Sequence, residues 1–278
     1  MGAVNVPMTM LNTGVAMPRL GLGTWMMTAA DVASVIPTAA RLGYRMIDTA
    51  AYYENENGVG EGIARSGVPR EEFFIISKVN GRDHGYDNTL KAFDKSLARL
   101  ALDHLDLYLI HWPMPMRDRY VETWRAFARL LAEGRTRAIG VSNFTPAHID
   151  RIIAEVGTPP AVNQIQLNPR VARHAWRAYA REHGITLQSW QPLNRGESLL
   201  VEPVVREIAA RHRRTPAQII LRWHLQHDLV PLPKSLNEQR LAANIDVFDF
   251  QLSAAEIEGI SALDGTEEPA DPETTEVD

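Results

Sequence analysis

The sequence predicts an α/β fold in which eight parallel strands, each followed by a helix, close into one barrel. The first observation is length, because 278 residues is close to the roughly 250 residues of such barrels. The second is that short apolar runs alternate with amphipathic stretches along the whole chain. The third is that these runs are apolar throughout, as in strands buried on both faces of a parallel sheet. With no linker-like boundary, residues 1–278 are predicted to form a single TIM-type barrel domain.

A hairpin is predicted before the barrel. Asn12-Thr13-Gly14 separates two short runs between Met8 and Arg19, which is typical of a turn between paired strands. We expect this hairpin to plug one end of the barrel. The eight barrel strands are predicted at Leu20–Thr24, Met46–Asp48, Phe73–Lys78, Leu105–His111, Ala138–Ser142, Val162–Gln166, Thr186–Trp190 and Val230–Pro233.

Helices are predicted between and after the strands. Thr145-Pro146 and Thr215-Pro216 each place a capping hydroxyl before a proline at the first helical position. Two predicted helices exceed the repeat, at Glu202–Arg211 and Ser253–Leu263. Helices of the repeat itself are predicted at Asp31–Leu42, Asn88–Leu100, Val121–Glu133, Pro146–Val156 and His174–His183.

Composition and charge exclude several classes of protein. The chain has no cysteine, which excludes disulfides, thiol catalysis and cysteine-bound metals. No apolar run approaches the ~18 residues that span a membrane, and residues 1–11 do not resemble a signal peptide. Residues 264–278 carry seven acids and no bases, so the net charge of −5 leaves the rest of the chain at about +2 and gives no reason to expect nucleic acid. We expect a cytoplasmic monomer that acts on a small molecule and ends in a mobile acidic tail over residues 264–278.

Three consecutive predicted strands end in ionisable residues: Asp48, Lys78 and His111. In a barrel enzyme the active site lies at this end of the strands. Each residue alone has another interpretation, because Asp48 could cap a turn, Lys78 could reach solvent, and His111 could be a core histidine. The three together, with Tyr53 on the loop after the second strand, favour an active site.

The motifs around these residues resemble those of the aldo-keto reductase family. The matching segments are Asp48-Thr49-Ala50-Ala51-Tyr52-Tyr53 with Asn55-Glu56, Ser77-Lys78, His111-Trp112-Pro113, Gly140-Val141-Ser142-Asn143-Phe144, Val162-Asn163-Gln164 and Pro233-Lys234-Ser235. They occur in order over nearly the whole chain. Within the family the sequence is most similar to the bacterial 2,5-diketo-D-gluconate reductases. The resemblance implies a catalytic tetrad of Asp48, Tyr53, Lys78 and His111, with NADP(H) as cofactor, and NADPH-dependent reduction of aldehydes and ketones to alcohols, including keto-sugar acids such as 2,5-diketo-D-gluconate.

The chemistry of the four roles follows from the residue types. Hydride addition to a carbonyl makes an alkoxide, which a positioned donor such as Tyr53 can protonate. Lys78 is expected to lower the pKa of that phenol, and Asp48 to keep Lys78 charged. His111 is expected to bind the carbonyl, either as a neutral or as a charged imidazole.

The resemblance also implies a cofactor site. It assigns Ser142, Asn143 and Gln164 to the nicotinamide carboxamide, while Trp190 lies where the family places an aromatic ring, unless it packs in the core. The cations Lys234 and Arg240 and the hydroxyl of Ser235 resemble the groups with which the family binds the 2′-phosphate of the adenosine. This favours NADPH over NADH. The full set of implied cofactor residues is Gly23, Thr24, Asp48, Ser142, Asn143, Gln164, Trp190, Gln191, Leu193, Lys234, Ser235, Arg240 and Asn244.

The substrate is expected to contact aromatic and charged residues on the loops after the strands. Arg82, His84, Arg117 and Arg119 follow the third and fourth strands. They either attract a substrate carboxylate or pair in solvent with Asp83 and Asp118, and both interpretations stay open. The implied substrate-binding residues are Trp25, Tyr53, Asn80, Arg82, His111 and Trp112.

Two other functions compete with carbonyl reduction. A non-catalytic NADP-sensing subunit is disfavoured by the complete tetrad. A metal-dependent barrel hydrolase is disfavoured because His224 and His227 have no further ligands apparent nearby in the sequence. Gly58-Val59-Gly60-Glu61-Gly62 resembles a dinucleotide-binding loop, but its spacing is wrong and no strand directly precedes it.

Overall fold

Eight parallel strands form one sheet in the computed structural model, which describes residues 3–196 and 198–275. Each strand is hydrogen-bonded to the next along the chain. A separate antiparallel hairpin, in which Met8 pairs with Pro18, comes before the sheet. The hairpin strands are β1 (Met8–Met10) and β2 (Ala16–Pro18), and the sheet contains β3 (Leu22–Gly23), β4 (Met46–Asp48), β5 (Phe74–Val79), β6 (Leu105–Ile110), β7 (Thr136–Ser142), β8 (Val162–Gln166), β9 (Thr186–Trp190) and β10 (Val230–Pro231).

The first and last strands of the sheet meet at a seam. The N–H of Gly21 donates to the carbonyl of Pro231 at 3.3 Å, and that of Gly23 donates to Pro233 at 3.1 Å. A Cβ on Gly23 would lie 3.0 Å from the carbonyl oxygen of Leu232, so the close approach favours glycine. The predicted curled parallel sheet of eight strands is therefore confirmed. The strand β10 ends two residues earlier than predicted, since prolines cannot donate a ladder hydrogen bond.

Ten α-helices accompany the sheet in the described residues. The predicted caps are present, because the hydroxyls of Thr145 and Thr215 accept hydrogen bonds from the N–H groups of His148 and Gln218. Both predicted additional helices, α7 and α10, are confirmed. The helices are α1 (Ala29–Leu42), α2 (Glu56–Arg65), α3 (Tyr86–Leu100), α4 (Tyr120–Ala132), α5 (Pro146–Val156), α6 (His174–Glu182), α7 (Pro203–His212), α8 (Pro216–Gln226), α9 (Glu238–Ile245) and α10 (Ala254–Ser261).

The hairpin closes the amino-terminal end of the barrel. Leu11 and Met17 from this region are buried in the same apolar cluster as Met46 and Phe74, the first residues of β4 and β5. The predicted plug is thus confirmed. The hairpin does not cover the opposite end of the barrel, where the strands end and where the predicted functional residues lie.

Residues 264–275 lie against that opposite end. The N–H of Gly265 donates to the carbonyl of Arg170 at 3.0 Å. The N–H of Ala270 donates to Oε1 of Gln166, the last residue of β8, at 2.8 Å. The mobility expected for the acidic tail stays a prediction, and residues 276–278 lie outside the described part. Within the described residues no helix has the length and apolar character needed to cross a membrane.

Candidate active site

Asp48 and Lys78 form a buried ion pair at the carboxyl end of the barrel. Asp48 ends β4, and Lys78 is the penultimate residue of β5. The ammonium donates to both carboxylate oxygens of Asp48, at 2.8 and 2.9 Å, and to the carbonyl of Thr49 at 2.9 Å. Burial lowers the pKa of Lys78, which is fully buried, and the charge of Asp48 opposes that change. Three acceptors for one ammonium offset the cost of burying the charge.

Tyr53 completes this group from the loop after β4. Its hydroxyl lies 3.4 Å from Nζ of Lys78, and the ammonium is 5.0 Å from the centre of its ring. Asn55 holds the loop, because its buried amide donates to the carbonyls of Thr24 and Met27, each at 3.0 Å. The chain therefore brings the phenol to the lysine by a local hydrogen-bond network.

The net pKa shift of Tyr53 differs from the sequence prediction. Burial raises the pKa of Tyr53 well above its ordinary value, and the charge of Asp48 raises it further. The expectation that Lys78 lowers this pKa is wrong for the net shift. The physical reason is first the burial of the phenol, and second that the ammonium is bonded to Asp48 at 2.8 Å, which offsets the charge of Lys78 near the phenol. Tyr53 is consequently a protonated phenol at neutral pH.

His111 is a neutral imidazole in this site. It directly follows β6, and its ring lies edge-on to that of Tyr53 with 5.6 Å between the ring centres. Burial lowers the pKa of His111 well below its ordinary value, and the nearby charge of Lys78 and the ring of His84 lower it further. Of the two forms that the sequence left open, this lowered pKa favours the neutral one.

Amide groups from the next strands bind the same residues. Nε2 of Gln164 donates to Asp48 Oδ1 at 2.9 Å and to Gln188 Oε1 at 3.0 Å. Gln188 was not predicted from the sequence. Its position two residues before Trp190, on the same face of β9, was the available signal.

Asn143 links three elements of the site. Its Nδ2 donates to the carbonyl of His111 at 3.1 Å and to the hydroxyl of Ser142 at 3.0 Å. Its Oδ1 accepts a hydrogen bond from Nε1 of Trp190 at 2.8 Å. Trp190 therefore has a fixed orientation, and its ring lines a cavity rather than filling the core.

The cavity has a volume of about 1040 Å³ and opens at the carboxyl end of the barrel. Most residues predicted for the tetrad, cofactor and substrate lie on its wall. These are Gly23, Trp25, Asp48, Tyr53, His111, Trp112, Ser142, Asn143, Gln164, Trp190, Gln191, Leu193, Lys234, Ser235, Arg240 and Asn244.

Four predicted residues do not line the cavity. Lys78 is buried behind Tyr53, and the hydroxyl of Thr24 donates to the carbonyl of Asp48 at 3.0 Å. Asn80 is buried. The side chain of Arg82 is 64% exposed and lies 3.9 Å from Asp83, which matches the solvent-pair interpretation.

The connection between β9 and α7 contributes residues that the sequence did not predict. Arg195, Gly196 and Leu200 line the cavity, and the guanidinium of Arg195 lies 5.6 Å from the ring centre of Trp25. The unusual length of this connection, residues 191–202, was the available signal. Other lining residues outside the predicted set are Met26, Tyr52, Pro192, Thr215, Pro216, Ala217, Leu232, Pro233, Asn237, Gln239 and Ala243.

The part of the wall after β10 suits a phosphate. Lys234, Ser235 and Arg240 are accompanied by the amino-terminal end of α9, where the side chain of Asn237 accepts a hydrogen bond from the N–H of Arg240 at 3.0 Å. Two cations, a hydroxyl and a helix amino terminus are groups that bind phosphate dianions. The amides of Asn143 and Gln164 elsewhere on the wall suit a carboxamide. The residues present therefore fit an NADP cofactor.

His224, one of the two histidines considered as metal ligands, is buried in the core. The ring nitrogens of buried His224 lie 2.8 Å from the carbonyl oxygen of Ile220 and 3.1 Å from that of Leu167, as in a core histidine. Across residues 3–196 and 198–275, no group of three or more acidic or histidine side chains could hold a metal ion.

Comparison with known proteins identifies the family. The model of the aldo/keto reductase family matches residues 19–264. The chain is 48% identical over 258 residues to a glyoxal reductase of Bacillus subtilis, covering 92% of each chain. It is 43% identical over 255 residues to methylglyoxal reductase DkgA of Escherichia coli, covering 91% of this chain and 92% of that protein. A crystal structure of a Gox0644 mutant in complex with NADPH superposes with a TM-score of 0.94 at 41% identity, covering 98% of this chain and 100% of the other. The chain therefore belongs to the aldo/keto reductase family of NADP-dependent oxidoreductases.

Proposed function

We propose that the chain reduces aldehyde and ketone carbonyls to alcohols, with NADPH as hydride donor and Tyr53 as proton donor. One observation carries this proposal: Lys78 lies within 3.4 Å of the Tyr53 hydroxyl and within 2.9 Å of both oxygens of Asp48, behind the cavity wall. The buried ammonium of Lys78 is thus positioned to interact strongly with Tyr53 only when the phenol becomes a negatively charged phenolate.

The residues around Tyr53 would support the transfer of one proton to the substrate. NADPH, when bound, supplies the hydride. As the carbonyl oxygen gains negative charge, the Tyr53 hydroxyl donates its proton to that oxygen. The resulting phenolate lies beside the ammonium of Lys78, which stabilises it more than it stabilised the neutral phenol. Neutral His111 carries a ring N–H that can donate to the same carbonyl oxygen and orient it.

Different residues of the cavity wall would bind different parts of the cofactor. The amides of Asn143 and Gln164 would hold the nicotinamide carboxamide, beside the ring of Trp190. Lys234 and Arg240 would bind the 2′-phosphate, which NADH lacks, so the site favours NADPH. Both cations line the same cavity as the tetrad, which supports one elongated ligand rather than two separate ones.

Replacing Tyr53 with phenylalanine tests the proton donor. We expect Tyr53→Phe to lower kcat for methylglyoxal by about 10²- to 10⁴-fold, because the variant lacks the proton. Turnover is followed by NADPH absorbance, and NADPH binding, measured by fluorescence, should stay within about twofold of the wild type since the ring remains. Tyr86→Phe, outside the cavity, is the control. Retained turnover in Tyr53→Phe would contradict its assigned role.

Two substrate classes suit the site. Small reactive dicarbonyls are the first, supported by the two relatives that are named as glyoxal and methylglyoxal reductases. Keto-sugar acids such as 2,5-diketo-D-gluconate are the second, and the specific kinship to reductases of that sugar acid stays a proposal. The observation in favour of an acid is Arg195, a cation on the wall next to Trp25, whereas Arg82 faces Asp83.

Arg195 and Arg82 give a matched pair of variants for charge recognition. At saturating NADPH we expect Arg195→Gln to raise KM for a keto-sugar acid by about tenfold, as expected from the loss of one charge-assisted hydrogen bond. KM for a neutral ketone should not change. Arg82→Ala should change neither value because its side chain is outside the cavity. An equal loss on both substrates in Arg195→Gln excludes charge recognition by this residue.

A further inference from the structure

The connection between β9 and α7, described for residues 191–196 and 198–202, forms one wall of the cofactor cavity. Its regular structure is limited to short 3-10 turns at Asn194–Gly196 and Leu199–Val201. Gln191, Leu193 and Arg195 lie on the wall, and the consecutive residues Asn194, Arg195 and Gly196 have positive φ angles of 47°, 57° and 81°. A connection of this kind is held in one position mainly by contacts to other parts of the molecule. The relevant contacts come from the carboxyl-terminal segment, defined as residues 264–275.

The first contact is made by Glu267. Its Oε2 accepts a hydrogen bond from Nδ2 of Asn194 at 2.6 Å, and its Oε1 accepts one from Nε2 of Gln166 at 3.2 Å. Gln166 is buried at the end of β8, and its Oε1 in turn accepts the N–H of Ala270 at 2.8 Å. Glu267 therefore ties the start of the connection to a fixed strand end.

The second contact is made through Arg170. Its guanidinium forms an ion pair with Glu202, the last residue of the connection, and Nη1 donates to the hydroxyl of Thr266 at 3.2 Å. The carbonyl of Arg170 accepts the N–H of Gly265. The carboxyl-terminal segment thus bonds to Asn194 directly and is linked to Glu202 through Arg170, while Leu193, Arg195 and Leu200 line the cavity.

We propose that the carboxyl-terminal segment holds the β9–α7 connection against the cofactor cavity, with Glu267 as the positioning residue that controls how fast NADPH is released. The proposal rests on the proposed binding of NADPH in this cavity. Glu267 does not line the cavity and acts through Asn194. Removing its carboxylate takes away two acceptors at once, so the connection loses the bond between Asn194 and the carboxyl-terminal segment.

Glu267→Ala is the test, and Glu268→Ala is the matched control because Glu268 is the adjacent acid and is exposed. Stopped-flow fluorescence measures NADPH release from the full-length protein. We expect release from Glu267→Ala to be roughly tenfold faster than from the wild type, as expected from the loss of hydrogen bonds to a charged acceptor. Glu268→Ala should release NADPH at the wild-type rate. Glu267→Gln keeps one oxygen acceptor and should restore part of the difference.

Two further readouts separate positioning from loss of folding. Amide hydrogen exchange in residues 191–202 should become faster in Glu267→Ala, while exchange in the barrel strands should not change. Asn194→Gly keeps the positive φ angle and removes the amide. Its effect on the release rate should therefore not add to that of Glu267→Ala.

The kinetic pattern decides the outcome. We expect KM for NADPH to rise in Glu267→Ala while the single-turnover rate of hydride transfer stays within about twofold of the wild type. Equal release rates in wild type and Glu267→Ala overturn the inference, and so does fully additive behaviour of the two variants. If the wild type itself binds no NADPH, the proposed function fails instead.

Discussion

At the scale of single residues, the carboxylate of Asp48 offsets much of the electrostatic effect of the Lys78 ammonium on Tyr53. The ammonium donates to both oxygens of Asp48, and its distance to the phenol is longer, at 3.4 Å. Before reaction, the phenol consequently stays protonated. After proton transfer, the phenolate competes with Asp48 for the same ammonium. The ion pair therefore favours the product of the proton transfer without ionising the donor in advance.

These pKa directions predict the pH dependence of reduction. The active form of Tyr53 is protonated, and its raised pKa means that activity is lost only as pH rises past the ordinary phenol value of ~10. The active form of His111 is neutral, and its lowered pKa means that this form persists as pH falls below the ordinary value of ~6.5. The expected profile of kcat at saturating NADPH is flat between about pH 6.5 and 10. An inflection of kcat at neutral pH contradicts the assignment of His111 as neutral.

At the scale of secondary structure, close packing explains the glycines of the Gly58-Val59-Gly60 motif in α2, which do not line the cofactor cavity. A Cβ on Gly58 would lie 2.1 Å from the carbonyl oxygen of Ala29, at the start of α1. A Cβ on Gly60 would lie 2.1 Å from the carbonyl oxygen of Leu100, at the end of α3. The alternation of glycines thus permits α2 to pack closely between the start of α1 and the end of α3. The loop that carries Tyr53 leads directly into this helix.

Gly60→Ala should therefore destabilise the protein although alanine favours helices. The clash with a backbone carbonyl is expected to lower the free energy of unfolding by roughly 1–3 kcal/mol, more than the ~1 kcal/mol that alanine gains over glycine in a helix. Urea denaturation measures the difference.

Gly259→Ala in α10 is the control for this substitution. There the added Cβ would lie 3.3 Å from a methyl group of Val204, a side chain that can move. We expect its stability to be equal to or slightly above that of the wild type. A Gly60→Ala protein more stable than the wild type would show that the backbone of α3 moves easily.

At the scale of the whole molecule, the barrel could be predicted because apolar strands and amphipathic helices alternate with regular spacing. Strand ends could not be predicted to the residue where prolines intervene, as at Pro231 and Pro233, because their missing N–H groups end the ladder regardless of hydrophobicity. Asp48, Lys78 and His111 could be predicted to meet because strand ends converge at one end of a barrel, whatever their distance in the sequence. Their roles, and that of Tyr53, came from the resemblance to the aldo-keto reductases.

Other features of the site depend on tertiary contacts that have no local signal. The net pKa shift of Tyr53 depends first on the burial of the phenol and then on the charge of Asp48, which no spacing reveals. The place of Arg195 on the cavity wall depends on three successive positive φ angles. The position of the acidic carboxyl-terminal segment could not be predicted either, because its composition suits solvent as well as the amide of Gln166.

The seam between Gly23 and Pro233 joins parts of the chain that are synthesised early and late. The cavity includes Gly23 on one side of the seam and Lys234 on the other, so a dinucleotide bound there bridges both. A nascent chain that ends before Lys234 lacks half of this bridge and cannot gain the binding energy. A dinucleotide bound in the proposed way would therefore stabilise the finished barrel and no shorter precursor of it.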